Sequence, residues 1–239
     1  MDIPTDIQHQ AMGYDRTATM FSPEGHLLQV EYAEKAVRLG ISSIGMVCTD
    51  GVFIIADKRI IDILVALTSV NRIHEIDEHI IASSAGIGSD ARVLIERAQV
   101  LAQQHRVTYD SSVEPELIMK DIANIKQQFS QYGGARPFGV SLMIAGINGK
   151  KPELYTSDIT GNYFSYSANA IGENDGKIKE KLREKYKKNL TIKQGVKIAL
   201  EIFEEAKDKG FSIDKLELAY IQIKDGKLKR AEGEKIKEI

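Results

Sequence analysis

Cysteine occurs once in the 239 residues, at Cys48. An internal disulfide is therefore excluded, and a reducing compartment is the expected setting. Cys48 closes the apolar run Ile44-Gly45-Met46-Val47-Cys48, where a small buried hydrophobe is the expected role rather than a nucleophile. Charge of one sign is also lacking. The net charge is -2, so the chain has no electrostatic footprint of a nucleic-acid partner. No apolar run approaches the length of a membrane span. The opening MDIPTDIQHQ has neither the basic start nor the apolar core of a signal peptide, and a cytoplasmic location is expected. The histidines, His9, His26, His74, His79 and His105, show no helical metal-ligand spacing. His74 and His79 flank a strand turn and are expected as surface polar groups. There is no G-x-S-x-G and no Cys/His/Asn set. Neither metal nor cofactor is expected, and the lack of a visible catalytic constellation leans toward a structural role. Repeats and low-complexity linkers are missing too, so a single domain over 1–239 is expected.

What is present is an ordinary globular composition, 43% hydrophobic and 28% charged. Residues 1–12 are polar and expected to be mobile. Ser22-Pro23 signals a helix over 22–39, with Ser22 as N-cap and Pro23 as the first helical residue. Leu27, Val30, Ala33 and Val37 stripe one face of it. Glu31–Lys35 and Glu34–Arg38 are spaced as i,i+4 pairs. The stripe suits a core, and equally a neighbouring subunit. Strands over 42–49 and 52–57 read as a hairpin about Asp50-Gly51. A variable stretch over 60–68 leads to strands over 70–76 and 80–85. Helices follow over 89–105 and 115–132, with apolar residues such as Leu94, Ala98, Ile118 and Ile122 at helical spacing. Strands return over 139–145, 153–156 and 163–171. Helices over 176–186 and 192–207 and strands over 217–223 and 228–230 complete the chain, with a short helix in the tail EGEKIKEI. Paired helices between blocks of strands predict an α+β, four-layer αββα sandwich of two antiparallel sheets.

Gly86-Ile87-Gly88-Ser89-Asp90-Ala91 matches the G-x-G-x-x-A dinucleotide fingerprint. That fingerprint needs a βαβ unit, and here one helix runs into another. Glycines in a tight strand-to-helix turn are the better account.

The stretch YDRTATMFSPEGHLLQVEYAEKAV (14–37), the G-x-x-x-x-G that follows, Ala56-Asp57-Lys58-Arg59 and YGGARPFG (132–139) together resemble the α-type subunit of the archaeal and eukaryotic proteasome core particle. The likeness runs from about Tyr14 to the final strands, and the lack of a long acidic C-terminal extension looks archaeal. It implies the N-terminal-nucleophile hydrolase fold with an extra N-terminal helix. It also implies a non-catalytic subunit of seven-membered outer rings, with partners in other α subunits, in β subunits carrying the threonine peptidase, in ring-shaped ATPase activators and in unfolded polypeptides. By the same resemblance, Tyr14, Asp15, Arg16, Pro23 and Tyr32 form the gate, with residues 1–12 as its tail. Packing of Tyr14 and Tyr32 on a sheet edge is the plainer alternative. Arg72, Gly86, Ile87 and Glu31 form the pocket for activator C-terminal tails, unless Arg72 is simply an exposed strand arginine. Tyr132, Gly133, Gly134 and Ala135 form the axial annulus. Ile41 stands where a β subunit has its nucleophilic threonine, and Asp57 and Arg72 stand where it has acidic and lysine partners. Processing before Ser42 or Ser43 would restore a hydroxyl and leave an autonomous peptidase. Two positions depart from the family: Arg72 replaces the usual lysine, and Glu34 stands where arginine is common.

Overall fold

The computed structural model describes residues 12–59, 64–66, 70–207 and 211–239. Its elements, in chain order, are α1 (Leu28–Arg38), β1 (Ser43–Cys48), β2 (Gly51–Asp57), β3 (Ile73–Asp77), β4 (Ile80–Gly86), α2 (Gly88–Tyr109), α3 (Pro115–Gln131), β5 (Val140–Asn148), β6 (Lys151–Ser157), β7 (Tyr163–Ser165), β8 (Ala168–Ile171), α4 (Asp175–Lys185), α5 (Ile192–Lys207), β9 (Leu216–Gln222) and β10 (Leu228–Glu232). A short 3-10 turn precedes β9, and another spans Gly233–Glu238.

Two five-stranded sheets form, in the orders β10-β9-β2-β1-β8 and β3-β4-β5-β6-β7, with every pairing antiparallel. Strand β2 shows why they stack. Val52, Ile54 and Ala56 point into a core shared with Ile81, Met143 and Leu154 of the second sheet. Phe53 and Ile55 point the other way, against Ile202 and Phe203 of α5. Both faces are covered, so the strand is a continuous apolar run and is buried along its length. On the far side, α2 and α3 pack Leu94, Ala98, Ile118 and Ile122 onto Leu142 and Ile144 of β5. The result is the four-layer sandwich expected from the element order.

Five local expectations need correction. The first helix begins at Leu28, six residues after Ser22. Ser22 caps a turn instead: its Oγ accepts the His26 amide at 3.1 Å, and its carbonyl accepts the Gly25 amide at 2.9 Å. Gly25 takes the left-handed conformation (φ +85°), which ends that turn rather than propagating a helix. Glu31 turns to His26 Nδ1 at 2.6 Å, in place of an expected partner in Lys35. The strand expected over 163–171 is two strands in different sheets. The Tyr166 amide bonds to Leu154 of β6 at 2.8 Å, and the Ser167 carbonyl accepts the amide of Val47 in β1 at 2.8 Å, so the chain changes sheets between them. The hairpin of β1 and β2 pairs Cys48 with Gly51, so Thr49-Asp50 makes the turn. The strand expected from 70 starts at Ile73. Residues 1–11 of the expected tail, and most of 60–68, lie outside the described residues.

Candidate functional site

The expected pocket and annulus residues meet at the end of the sandwich where the end of α1, the turn after β4 and the α3–β5 loop pack together. Helix α1 packs on β4 and β5, with Leu28 and Val30 buried and Val37 against the inter-sheet core. Gly40 ends it in very close contact with the next turn: a Cβ there would lie 2.2 Å from the amide nitrogen of Gly86. Gly86 itself holds φ +125°, and a Cβ on it would meet the Gly139 carbonyl at 2.1 Å. These glycines are therefore explained by backbone crowding. Since β4 pairs with β5 antiparallel and α2 runs into α3, the parallel crossover that a dinucleotide fingerprint requires is not here.

Arg72 and Gly86 line one cavity of about 360 Å³, together with Ile41, His74, Gly88 and Arg92. Ile87 sits between two lining residues and is 38% exposed. Arg72 is half-buried, and its Nε donates to the Lys58 carbonyl at 3.3 Å. Its amide donates to Glu217 Oε1 at 2.6 Å, and the Ile73 amide donates to the same oxygen. Lys58 Nζ reaches Glu232 at 2.8 Å and Glu217 at 3.7 Å. Burial pulls the Arg72 pKa down, while Glu217 and Asp57 hold it up, and a guanidinium stays charged. The cavity thus has the Arg72 cation at its wall, while Arg92 on the same wall pairs with Glu96 at 3.3 Å. His74, expected as a surface polar group, is half-buried in this cavity. Burial, then Arg230 and Arg72, lower its pKa, so the ring is neutral at pH 7. Glu31 does not line the cavity; it lies beside His26.

The Tyr132–Ala135 loop projects from the end of α3, with Tyr132 70% exposed. A Cβ on Gly133 or Gly134 would meet nothing within 4 Å. The loop's base is held by Asp90, a residue that sequence reasoning passed over. Arg136 Nη1 and Nη2 donate to Asp90 Oδ2 and Oδ1 at 2.6 and 2.7 Å. The Gly139 amide donates to Oδ2 at 2.9 Å. These bonds, the Arg136 pair first, hold the Asp90 carboxyl below the usual carboxylate range.

The residues expected at the gate share the stretch ahead of β1. Gln29 Nε2, also missed from the sequence, donates to the Asp15 carbonyl at 2.5 Å and ties that stretch to α1. The Arg16 amide closes a turn on the Gly13 carbonyl at 3.1 Å. Tyr14 and Tyr32 are half-buried, with Lys35 Nζ 5.4 Å from the Tyr32 ring centre, and Pro23 is exposed.

Nothing at the start of β1 is poised for nucleophilic attack. Ser42 and Ser43 are fully buried. Ser42 Oγ donates to the Glu173 carbonyl at 2.7 Å, and Ser43 Oγ lies 2.7 Å from Ser83 Oγ. Asp57 is engaged by the Lys207 ammonium and by the Arg59 amide, the latter at 3.0 Å.

Fold and site together define a sandwich of the N-terminal-nucleophile hydrolase kind, with an added helix ahead of its first strand. The chain belongs to the proteasome subunit family: the family's model matches residues 37–221. The stretch ahead of it, residues 14–36, matches the N-terminal signature of A-type proteasome subunits, which places the chain among the α subunits of the core particle. Similar proteins include the proteasome alpha subunit of Methanocaldococcus jannaschii, 41% identical over 226 residues that cover 95% of this chain and 86% of that protein. That of Methanosarcina thermophila is 40% identical, covering 94% and 91% respectively. That of Pyrococcus horikoshii is 42% identical, covering 94% and 85%.

Proposed function

We propose that this chain is a non-catalytic subunit of the seven-membered outer rings of the proteasome core particle. It gates entry of unfolded polypeptides, docks ring-shaped ATPase activators by their C-terminal tails, and leaves peptide cleavage to the threonine peptidase of the β subunits. The cavity at Arg72 takes the tail carboxylate. The stretch from Tyr14 to Tyr32 sets the gate, and the loop Tyr132–Ala135 narrows the axial opening. The cytoplasm is the place of action; among the described residues no helix is long and apolar enough to cross a membrane.

One observation carries the non-catalytic assignment. The segment 12–41, with α1, is built onto the fold ahead of β1, and the serines that begin this strand are buried and hydrogen-bonded. An N-terminal nucleophile needs its hydroxyl open to substrate and its own free amine beside it. Negative-stain images of the purified chain with a β partner are expected to show seven-fold rings, and its intact mass is expected to retain residues 1–41. A chain that loses about forty residues and hydrolyses peptides without a β partner would overturn the assignment. For the gate, deleting residues 1–12 should raise the turnover of small peptides by the assembled particle; unchanged turnover would remove the tail's role as a plug.

A further inference from the structure

The tip of the Tyr132–Ala135 loop makes few contacts of its own. Its one internal bond runs from the Ala135 amide to the Tyr132 carbonyl at 3.3 Å, and its two glycines stand in open space. Gly134 holds φ +87°, a conformation that glycine reaches without strain. One end of the loop is fixed by helix α3, where the Tyr132 amide closes the last turn on Gln128 at 3.1 Å. The other end depends on residues 136–139, and these are clamped to the turn between β4 and α2. The Ile87 amide donates to the Gly139 carbonyl at 2.9 Å. The Ile87 side chain leaves so little room that a Cβ on Gly139 would lie 2.6 Å from its Cδ1. Asp90 completes the clamp by accepting both Arg136 nitrogens and the Gly139 amide. The pair is asymmetric: the Asp90 side chain is 9% exposed and that of Arg136 60%. The buried carboxylate is the anchor, and the exposed arginine is the arm that reaches the loop. A bidentate fork fixes direction as well as distance, which a single contact cannot do.

We infer that Asp90 and Arg136 are positioning residues. They aim the Tyr132–Ala135 tip and so set the size limit on polypeptides entering the particle. The inference rests on the function proposed above, in which that tip borders the axial opening. Without the Asp90–Arg136 pair the loop is held on that side only from Gly139 onward, and two glycines let its tip swing aside.

The test uses the assembled particle with Arg136→Ala, Asp90→Asn and Arg136→Lys. Two substrates are compared, a short fluorogenic peptide and a polypeptide closed into a loop by a disulfide, which needs a wider passage. Cleavage of the closed loop relative to the short peptide should rise at least about twofold in the Arg136→Ala and Asp90→Asn particles, as expected from loss of one charge-assisted pair. The Arg136→Lys particle, which keeps the charge without the fork, should fall between these and the unaltered particle. Amide exchange at Tyr132 and Ala135, the two loop amides held by hydrogen bonds, should speed about tenfold while the interior of α2 keeps its protection. Exchange that also speeds through α2 would make the pair a general stabiliser and overturn the inference. A Gly133→Trp particle separates the two levels, since this residue points into open space. If Gly133→Trp changes the ratio and Arg136→Ala does not, the clamp does not set the limit and the annulus assignment stands. If neither changes it, the annulus assignment falls and the inference falls with it.

Discussion

Glu217 in β9 holds the entry to β3 with a single carboxylate oxygen, which accepts the amide of Arg72, just before the strand, at 2.6 Å and also that of Ile73. These two strands lie in different sheets, so the contact pins the sheets together at the cavity wall. It also fixes the backbone that carries the Arg72 side chain. The carboxylate is buried, and burial raises its pKa despite the two amides that favour its charged form. Glu217→Ala would orphan both amides and is expected to destabilise the fold by about 3 kcal/mol. Glu217→Gln keeps an acceptor for them and is expected to cost less. Urea unfolding of the two variants ranks them; equal costs would mean that the amides are satisfied in another way.

Lys126 gives a pH-dependent prediction. It lies on α3 yet is fully buried, and its Nζ donates to the Val140 carbonyl at 2.9 Å, Ser157 Oγ at 2.8 Å and the Asp158 carbonyl at 3.0 Å. Burial lowers its pKa to about 7, with Asp158 opposing. An unfolded lysine titrates near 10.4. Between these values the folded state binds fewer protons than the unfolded state, so stability should rise with pH, with a slope approaching about 1.4 kcal/mol per unit. Lys126→Met removes the titrating group and should lose this slope. Denaturant unfolding of both proteins at pH 7 and 9 checks it. Parallel pH dependences would show that Lys126 keeps its charge throughout.

Much of the sandwich could be read from spacing alone. Helix α5 spans the 192–207 expected of it, and β9 and β10 fall within a few residues of the expected 217–223 and 228–230. Such features are set within a few residues of chain. The misses arise where distant partners decide. Tyr163–Ile171 is one strand-like run by composition, but β6 and β1 each claim half of it. Lys126 continues the stripe of Ile118 and Ile122 at the next i+4 position, so its face was legible and its burial was not; the acceptors come from β5 and from the end of β6. Asp90 and Arg136 are 46 residues apart and individually look like surface charges. Only the approach of the β4–α2 turn to the α3–β5 loop makes them a pair.

Arg72 tests the docking cavity. Its guanidinium already spends Nε on the Lys58 carbonyl, so its direction is set before any ligand arrives. Arg72→Ala should abolish stimulation of the assembled particle by a peptide ending in an activator's C-terminal tail. Arg72→Lys keeps a point charge but loses the planar fork, and should restore stimulation only in part. The measurement is peptide turnover against tail-peptide concentration. Full stimulation of the alanine variant would put the cation elsewhere, with Arg92 on the same cavity wall the next position to alter.

Ser43 separates a structural hydroxyl from a catalytic one. It and Ser83 are both fully buried and share a hydrogen bond of 2.7 Å that links β1 to β4 across the two sheets. Ser43→Ala leaves the Ser83 hydroxyl without this partner, and a loss of about 1–2 kcal/mol is expected, seen as a lower melting temperature of the purified chain. Peptide cleavage by the assembled particle should be unchanged, because the nucleophile is assigned to the β subunits. Ser42→Ala, which removes a donor to the Glu173 carbonyl, should behave in the same way. A hydroxyl that only packs lowers the melting temperature and spares the rate. One that attacks peptides abolishes the rate whatever it does to melting, and that outcome at either serine would return this chain to the peptidases.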